Sequence, residues 1–115
     1  MSEVEHRRAP RKRASSPMPV MDVMSEQVIG QLGNLSTSGL MLIGLRAPAT
    51  DAVYQVSLAL PDAYGHRRPI QLGIQEQWHE PAAAPGQYWS GYRIVAVSDE
   101  DTRMMENWLG PELTG

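Results

Sequence analysis

The chain has 115 residues, 42% of them hydrophobic, a net charge of −3 and no cysteine. That is the size of one domain with one core. The composition excludes disulfides and thiolate metal sites, and no apolar run approaches the ~20 residues that a membrane-spanning helix needs.

Residues 1–17 read as a flexible basic tail: they are polar, contain Pro10 and Pro17, and show no apolar periodicity. Arg7, Arg8, Arg11, Lys12 and Arg13 are five of the ten basic residues, and only Glu3 and Glu5 of the thirteen acids precede them. Residues 14–115 keep five basic and eleven acidic residues, a net of −6. A basic tail on an acidic body seeks an anion: nucleic acid, a membrane surface, a phosphate ligand or the body itself. The start is charged and lacks an apolar h-region, so a secretory signal is not expected. With the lack of cysteine, this points to the cytoplasm.

From residue 18 to 115 the sequence predicts one domain. Val20 to Met24 is a short strand signal. Gln27 to Leu32 follows as a second, with Gly30 marking a bulge or a close backbone approach. Gly33 to Gly39 is turn chemistry. Leu40 to Leu45 is a nearly continuous apolar strand. Val53 to Leu60 alternates, with Tyr54, Val56, Leu58 and Leu60 on one face. Pro61 to Pro69 reads as a loop with Gly65 at its tip. Ile70 to His79 places Ile70, Leu72 and Ile74 on one face. Pro81 to Gly86 is a loop, and Tyr88 to Val97 a last strand. Turn signals about ten residues apart, with no helix between them, predict an antiparallel all-β barrel or sandwich. Ser98 is an N-cap followed by Asp99, Glu100 and Asp101, and Met104, Met105, Trp108 and Leu109 recur at helical spacing until Gly110-Pro111. This predicts a C-terminal helix packed on the sheet.

Two short patterns stand out. Arg7-Arg8-Ala9-Pro10-Arg11 is R-x-x-x-R, and Asn34-Leu35-Ser36-Thr37-Ser38-Gly39 is N-x-S-x-x-G between two strands. In this order, with Gly91-Tyr92 in the last strand and a capped acidic helix after it, the chain resembles the PilZ family over nearly its whole length. The resemblance implies a six-stranded antiparallel β-barrel with a C-terminal α-helix and a flexible N-terminal tail. It also implies a cytoplasmic receptor for cyclic di-GMP that regulates a protein partner in motility, biofilm or virulence control, and not an enzyme. Asn34 stands where Asp is the common family residue, so its bond to guanine N–H groups is weaker than a charge-assisted one.

The residue chemistry suits that ligand. An Arg fork matches guanine O6 and N7, at ~1–3 kcal/mol per good bidentate match. Arg7, Arg8 and Arg11 can also pair with phosphate or stack on the bases. Asn34 and Ser36 offer oxygens to the guanine N–H donors. Gly39 permits a positive φ or a close ligand approach. Pro10 disfavours helix at Ala9 and holds the arginines extended. Trp78 is a candidate stacking partner, worth about 1–3 kcal/mol per base.

Plainer readings stand beside these. Asn34, Ser36 and Gly39 would also make a self-bonded tight turn, and Trp78 would also pack as a half-buried side chain. Trp89 and Trp108 read as core. His6, His66 and His79 lack metal-ligand spacing and read as exposed. Among functions, a small barrel binding nucleic acid through its basic tail is an alternative, which the acidic body opposes, so no nucleic-acid polymer is expected. A ligand-independent PilZ-type adaptor is another. No catalytic motif is present, and no cofactor or metal is expected.

Overall fold

The computed structural model describes residues 11–110. Arg7 and Arg8 therefore lie outside the described residues. The elements run β1 (Lys12–Arg13), β2 (Pro19–Asp22), β3 (Gln27–Leu35), β4 (Gly39–Gly44), β5 (Val53–Pro61), β6 (Arg67–Pro81), β7 (Tyr88–Ala96) and α1 (Asp99–Leu109). All strand pairs are antiparallel. Hydrogen bonding passes through β3, β2, β5, β6, β7 and β4, and β4 pairs back onto β3. The six strands thus close on themselves into a barrel, whose ring of pairings is continuous. This is the six-stranded barrel with a C-terminal helix expected from the sequence, plus one extra strand, β1.

The barrel forms because period-2 alternation gives each strand an apolar inner row. Val56, Leu58 and Leu60 of β5 face Leu72, Ile70 and Arg68 of β6 in register. The inner residues Val20, Leu35, Leu40, Val56, Leu72 and Ile74 are 0% exposed. Helix α1 covers part of this core. Ser98 Oγ accepts the Asp101 N–H at 3.1 Å, and three acids occupy the first turn. Met105 and Leu109, one turn apart, are buried. Asp101 Oδ2 also accepts the Gln71 N–H at 3.0 Å, which ties the helix to β6. Gly110 ends it at φ 91°, returning its N–H to the Glu106 carbonyl.

The extra strand is held by a long-range contact. The last turn of α1 contains no basic residue of its own. Lys12 of β1 supplies one: its Nζ donates to the Trp108 carbonyl at 2.7 Å and lies 4.4 Å from the Trp108 ring centroid. A cation there meets the negative end of the helix dipole and the ring face together. Lys12 and Arg13 pair with Leu35 and Asn34, continuing beyond β2 along the same side of β3.

Several boundaries differ from the sequence reading. β2 stops at Asp22, because Asp22 Oδ1 accepts the Met24 N–H and its carbonyl accepts the Glu26 N–H, starting a turn. β3 continues through Gly33 to Leu35, so the turn is only Ser36–Ser38. The β5–β6 loop is shorter than Pro61–Pro69, with pairing from Pro61 to Arg67. Asp62 closes that loop by accepting the Tyr64 and His66 N–H groups and the Arg68 side chain. These bonds hold the Asp62 carboxyl below the usual carboxylate range, with the Arg68 bond the largest cause. Trp89 reads as core in the sequence, and the structure differs. The side chain is half-buried outside the core cluster, with its ring edge over Gly33. Trp108 does pack against the core.

Four register shifts re-aim side chains. Two fall in β3, at Ile29 and at Gly33, one in β7 at Val95, and one in β6 between Glu76 and Trp78. Each is a bulge that inserts an unpaired residue and bends its strand.

Candidate functional site: a ledge across β3, β4, β7 and β6

The turn between β3 and β4 is built from Ser36. Its side chain is buried, at 0% exposure for the residue. Ser36 Oγ accepts the Ser38 and Gly39 N–H groups at 3.2 and 3.1 Å and donates to the Gly39 carbonyl at 3.2 Å. The Ser36 N–H also reaches the Gly39 carbonyl at 2.8 Å. A hydroxyl can do this only where the chain turns back on itself, so the serine shapes the turn. Ser36→Ala leaves these buried N–H groups without that partner. The expected cost is about 1–3 kcal/mol, seen as a lower urea midpoint at unchanged slope.

Asn34 precedes this turn on β3 and points away from the barrel, since Leu35 beside it is inward and fully buried. Arg11 Nη1 donates to Asn34 Oδ1 at 2.9 Å. The second arginine of R-x-x-x-R thus touches the first residue of N-x-S-x-x-G across 23 positions of sequence. Gly39 lies beneath that contact. A Cβ at Gly39 would stand 3.5 Å from Arg11 Nη2 and 2.5 Å from the Tyr92 carbonyl oxygen. The glycine is required because β7 passes too close for a side chain. Gly39 pairs with Arg93 of β7, whose Nη2 donates to Gln75 Oε1 at 2.9 Å. The Arg11 guanidinium therefore lies over this glycine, while that of Arg93 reaches from β7 to β6. Arg93 was not singled out from sequence, and its place depends on a strand pairing that no local signal reveals.

One lateral row extends the ledge. Asn34 pairs with Met41, Met41 with Gly91, and Gly91 with Trp78. Three strand spacings separate Asn34 from Trp78, roughly 14 Å at ~4.8 Å each. Trp78 is 42% exposed and leans over Gly91, where a Cβ would collide with its Nε1 and Cε2 atoms. The ring therefore lies across the sheet. The result is a surface with the Arg11 guanidinium and the Asn34 amide at one end and an indole at the other, with the Arg93 guanidinium on Gln75 of the same strand as Trp78. Such a ledge suits a flat, anionic, hydrogen-bonding ligand.

Behind the ledge, the barrel interior contains a polar group. Glu76 is 2% exposed. Its Oε1 accepts the Asp51 N–H at 2.8 Å, and its Oε2 lies 2.7 Å from His79 Nδ1. The His79 bond, followed by the Asp51 bond, holds the Glu76 carboxyl below its ordinary range despite burial. His79, expected to be exposed, has a side chain only 28% exposed because of this partner. Nearby Tyr92 has its phenol pushed up, by burial first and then by Tyr54 and Glu76.

Of the residues predicted to bind ligand, the structure brings Arg11, Asn34 and Gly39 together. Ser36 lies beneath them, and Trp78 stands on the same outer face. Arg7 and Arg8 fall outside the described residues. A cavity of about 730 Å³ opens at the far end of the β3–β4 hairpin, lined by Ile29, Gly30, Ile43, Tyr54 and Tyr92 among others. It contains none of the predicted residues, and the motif geometry outweighs its volume as a guide to the site. Among the described residues, no helix is long and apolar enough to cross a membrane.

Comparison with solved structures finds the Bacillus subtilis inhibitor of motility (MotI/DgrA), with a TM-score of 0.70 and 13% sequence identity. The match covers 86% of this chain and 47% of that one, so this chain spans about half the length of the matched protein. At that identity the likeness shows a shared fold. No family model matches the chain, and no curated protein matches it.

Proposed function

We propose that this chain is a PilZ-type receptor for cyclic di-GMP that regulates a protein partner and has no catalytic activity of its own. The supporting observation is the Arg11–Asn34 hydrogen bond over Gly39, which joins the two sequence patterns in space. Arg11 presents a fork for guanine O6 and N7 or for phosphate. Asn34 offers an acceptor for guanine N–H groups once a ligand replaces the arginine on its oxygen. Trp78 provides a stacking face for a base. Arg7 and Arg8 join this set on the motif alone.

The same geometry suggests an output. Arg11 is followed directly by Lys12, which holds the C-terminal end of α1 through the Trp108 carbonyl. A ligand that draws Arg11 away from Asn34 pulls on β1 and thereby on the helix. The changed surface is what a protein partner would read. Fold similarity to an inhibitor of motility supports this regulatory reading and places motility among the outputs to test.

The test is calorimetric titration of the intact chain with cyclic di-GMP. Arg11→Ala should weaken binding about 5- to 150-fold, the equivalent of ~1–3 kcal/mol for a lost bidentate contact. Arg7→Ala should weaken it similarly, with the barrel still folded by circular dichroism. Absence of heat at tens of micromolar folded protein would overturn the proposal. A gel shift with nucleic acid that survives Asn34→Ala but fails on deletion of the tail would replace it with polymer binding.

A further inference from the structure

Trp78 stands on a strand whose alternation points it the wrong way. Ile70, Leu72, Ile74 and Glu76 of β6 all face the barrel interior. Period-2 continuation would turn Trp78 inward as well. It instead faces outward, because Glu76 pairs with Tyr92 and Trp78 with Gly91, leaving Gln77 as an unpaired extra residue. The bulge resets the alternation. It returns His79 to the inward side, opposite buried Ser90, so that Glu76 and His79 both point into the barrel from either end of the bulge.

We propose that the Glu76–His79 hydrogen bond is a clamp across this bulge, and that it positions Trp78 on the outer face as a platform for the ligand. The contact is 2.7 Å between Glu76 Oε2 and His79 Nδ1, with Trp78 held between its ends. A carboxylate inside an apolar barrel is costly unless its oxygens are used. Here Oε1 takes the Asp51 N–H of the β4–β5 loop, and Oε2 takes the imidazole. Gln77 completes the bulge by donating its side-chain amide to the Gln75 and Glu76 carbonyls at 3.3 and 3.2 Å. The loop contact explains one oxygen. The imidazole contact encloses only Gln77 and Trp78, the unpaired residue and the first residue of the shifted register, so its effect falls on Trp78. Glu76 and His79 are positioning residues: His79 acts by holding the strand, and Trp78 meets the base.

The ligand half of this inference rests on the proposed function, whereas the structural half does not. The indole over Gly91 must shift the Gly91 α-proton resonances upfield by ring current, and Trp78→Ala defines their value without the ring. In His79→Ala the α-protons should move toward the Trp78→Ala positions. His79→Gln, which restores a side-chain donor, should return them toward the wild-type values. His79→Leu fills the space without a hydrogen bond and serves as the second breaking variant should His79→Ala fail to fold. In titrations with cyclic di-GMP, His79→Ala should lower affinity by about the factor seen for Trp78→Ala, and the double variant should lose little more. Gly91 resonances that stay at wild-type positions in a folded His79→Ala or His79→Leu chain would overturn the clamp. Wild-type protein that fails to bind cyclic di-GMP would remove the proposed function, while the Gly91 resonances still decide the clamp.

Discussion

Leu72→Ala should lower the stability of the domain by about 2–5 kcal/mol, the range for deleting a buried leucine side chain. Leu72 is 0% exposed and sits mid-strand on β6, opposite Val56 of β5. A closed barrel cannot collapse onto the lost volume, because each strand is fixed by hydrogen bonds on both sides. β6 is held by β5 along one edge and by β7 along the other. The expected value therefore lies toward the upper part of the range. Urea unfolding monitored by tryptophan fluorescence should show a lower midpoint with an unchanged slope. A loss below 1 kcal/mol would mean that the barrel relaxes inward at this layer, contrary to its closed pairing.

Gly39→Ala should damage stability and binding together. The added Cβ would meet the Tyr92 carbonyl oxygen at 2.5 Å, and that atom is backbone in the β4–β7 ladder. A flexible side chain could swing aside, but here two paired strands must separate or slide. Overpacking of this kind costs about 1–3 kcal/mol. Slippage also shifts the Ser36 turn, whose hydroxyl is bonded to both the N–H and the carbonyl of residue 39. The Arg11 guanidinium above the glycine loses its seat on Asn34. Cyclic di-GMP binding should then fall at least as far as in Arg11→Ala, and the urea midpoint should fall with it. A variant with wild-type midpoint and wild-type affinity would show that the close approach of β4 and β7 is not needed. Binding lost at a wild-type midpoint would confine the role of Gly39 to the ligand face.

Tyr64 and His66 illustrate what local chemistry can state well. Gly65 at the loop tip takes φ 82°, as a tip glycine should, and Asp62 closes the loop through bonds to residues two and four positions ahead. The helix is equally local. Its N-cap, acidic first turn and apolar stripe all lie within twelve residues, and the structure uses each of them. The strands of the barrel follow from period-2 alternation in the same way. The meeting of Arg11 with Asn34 could be anticipated only as a pairing of two motifs, because nothing in either segment specifies the distance between them.

What the sequence determined by itself was the inner row of β5 and of β6 as far as Ile74, the capped helix, the turn chemistry before Gly39 and the residue types of the ledge. These depend on neighbours a few positions away, and alternation or capping records them directly. Tertiary structure alone decided that Lys12 completes the helix end and builds β1. It also decided that Trp89 sits outside the core, that Arg93 pairs with Gly39, and that His79 turns inward to Glu76 while Trp78 turns outward. The reason is physical. A bulge is a mismatch between two strands, and neither strand carries it alone. One extra residue opposite Tyr92 and Gly91 reverses the facing of every side chain beyond it, so the orientation of Trp78 was set by pairing and was never present in the pattern of β6 itself.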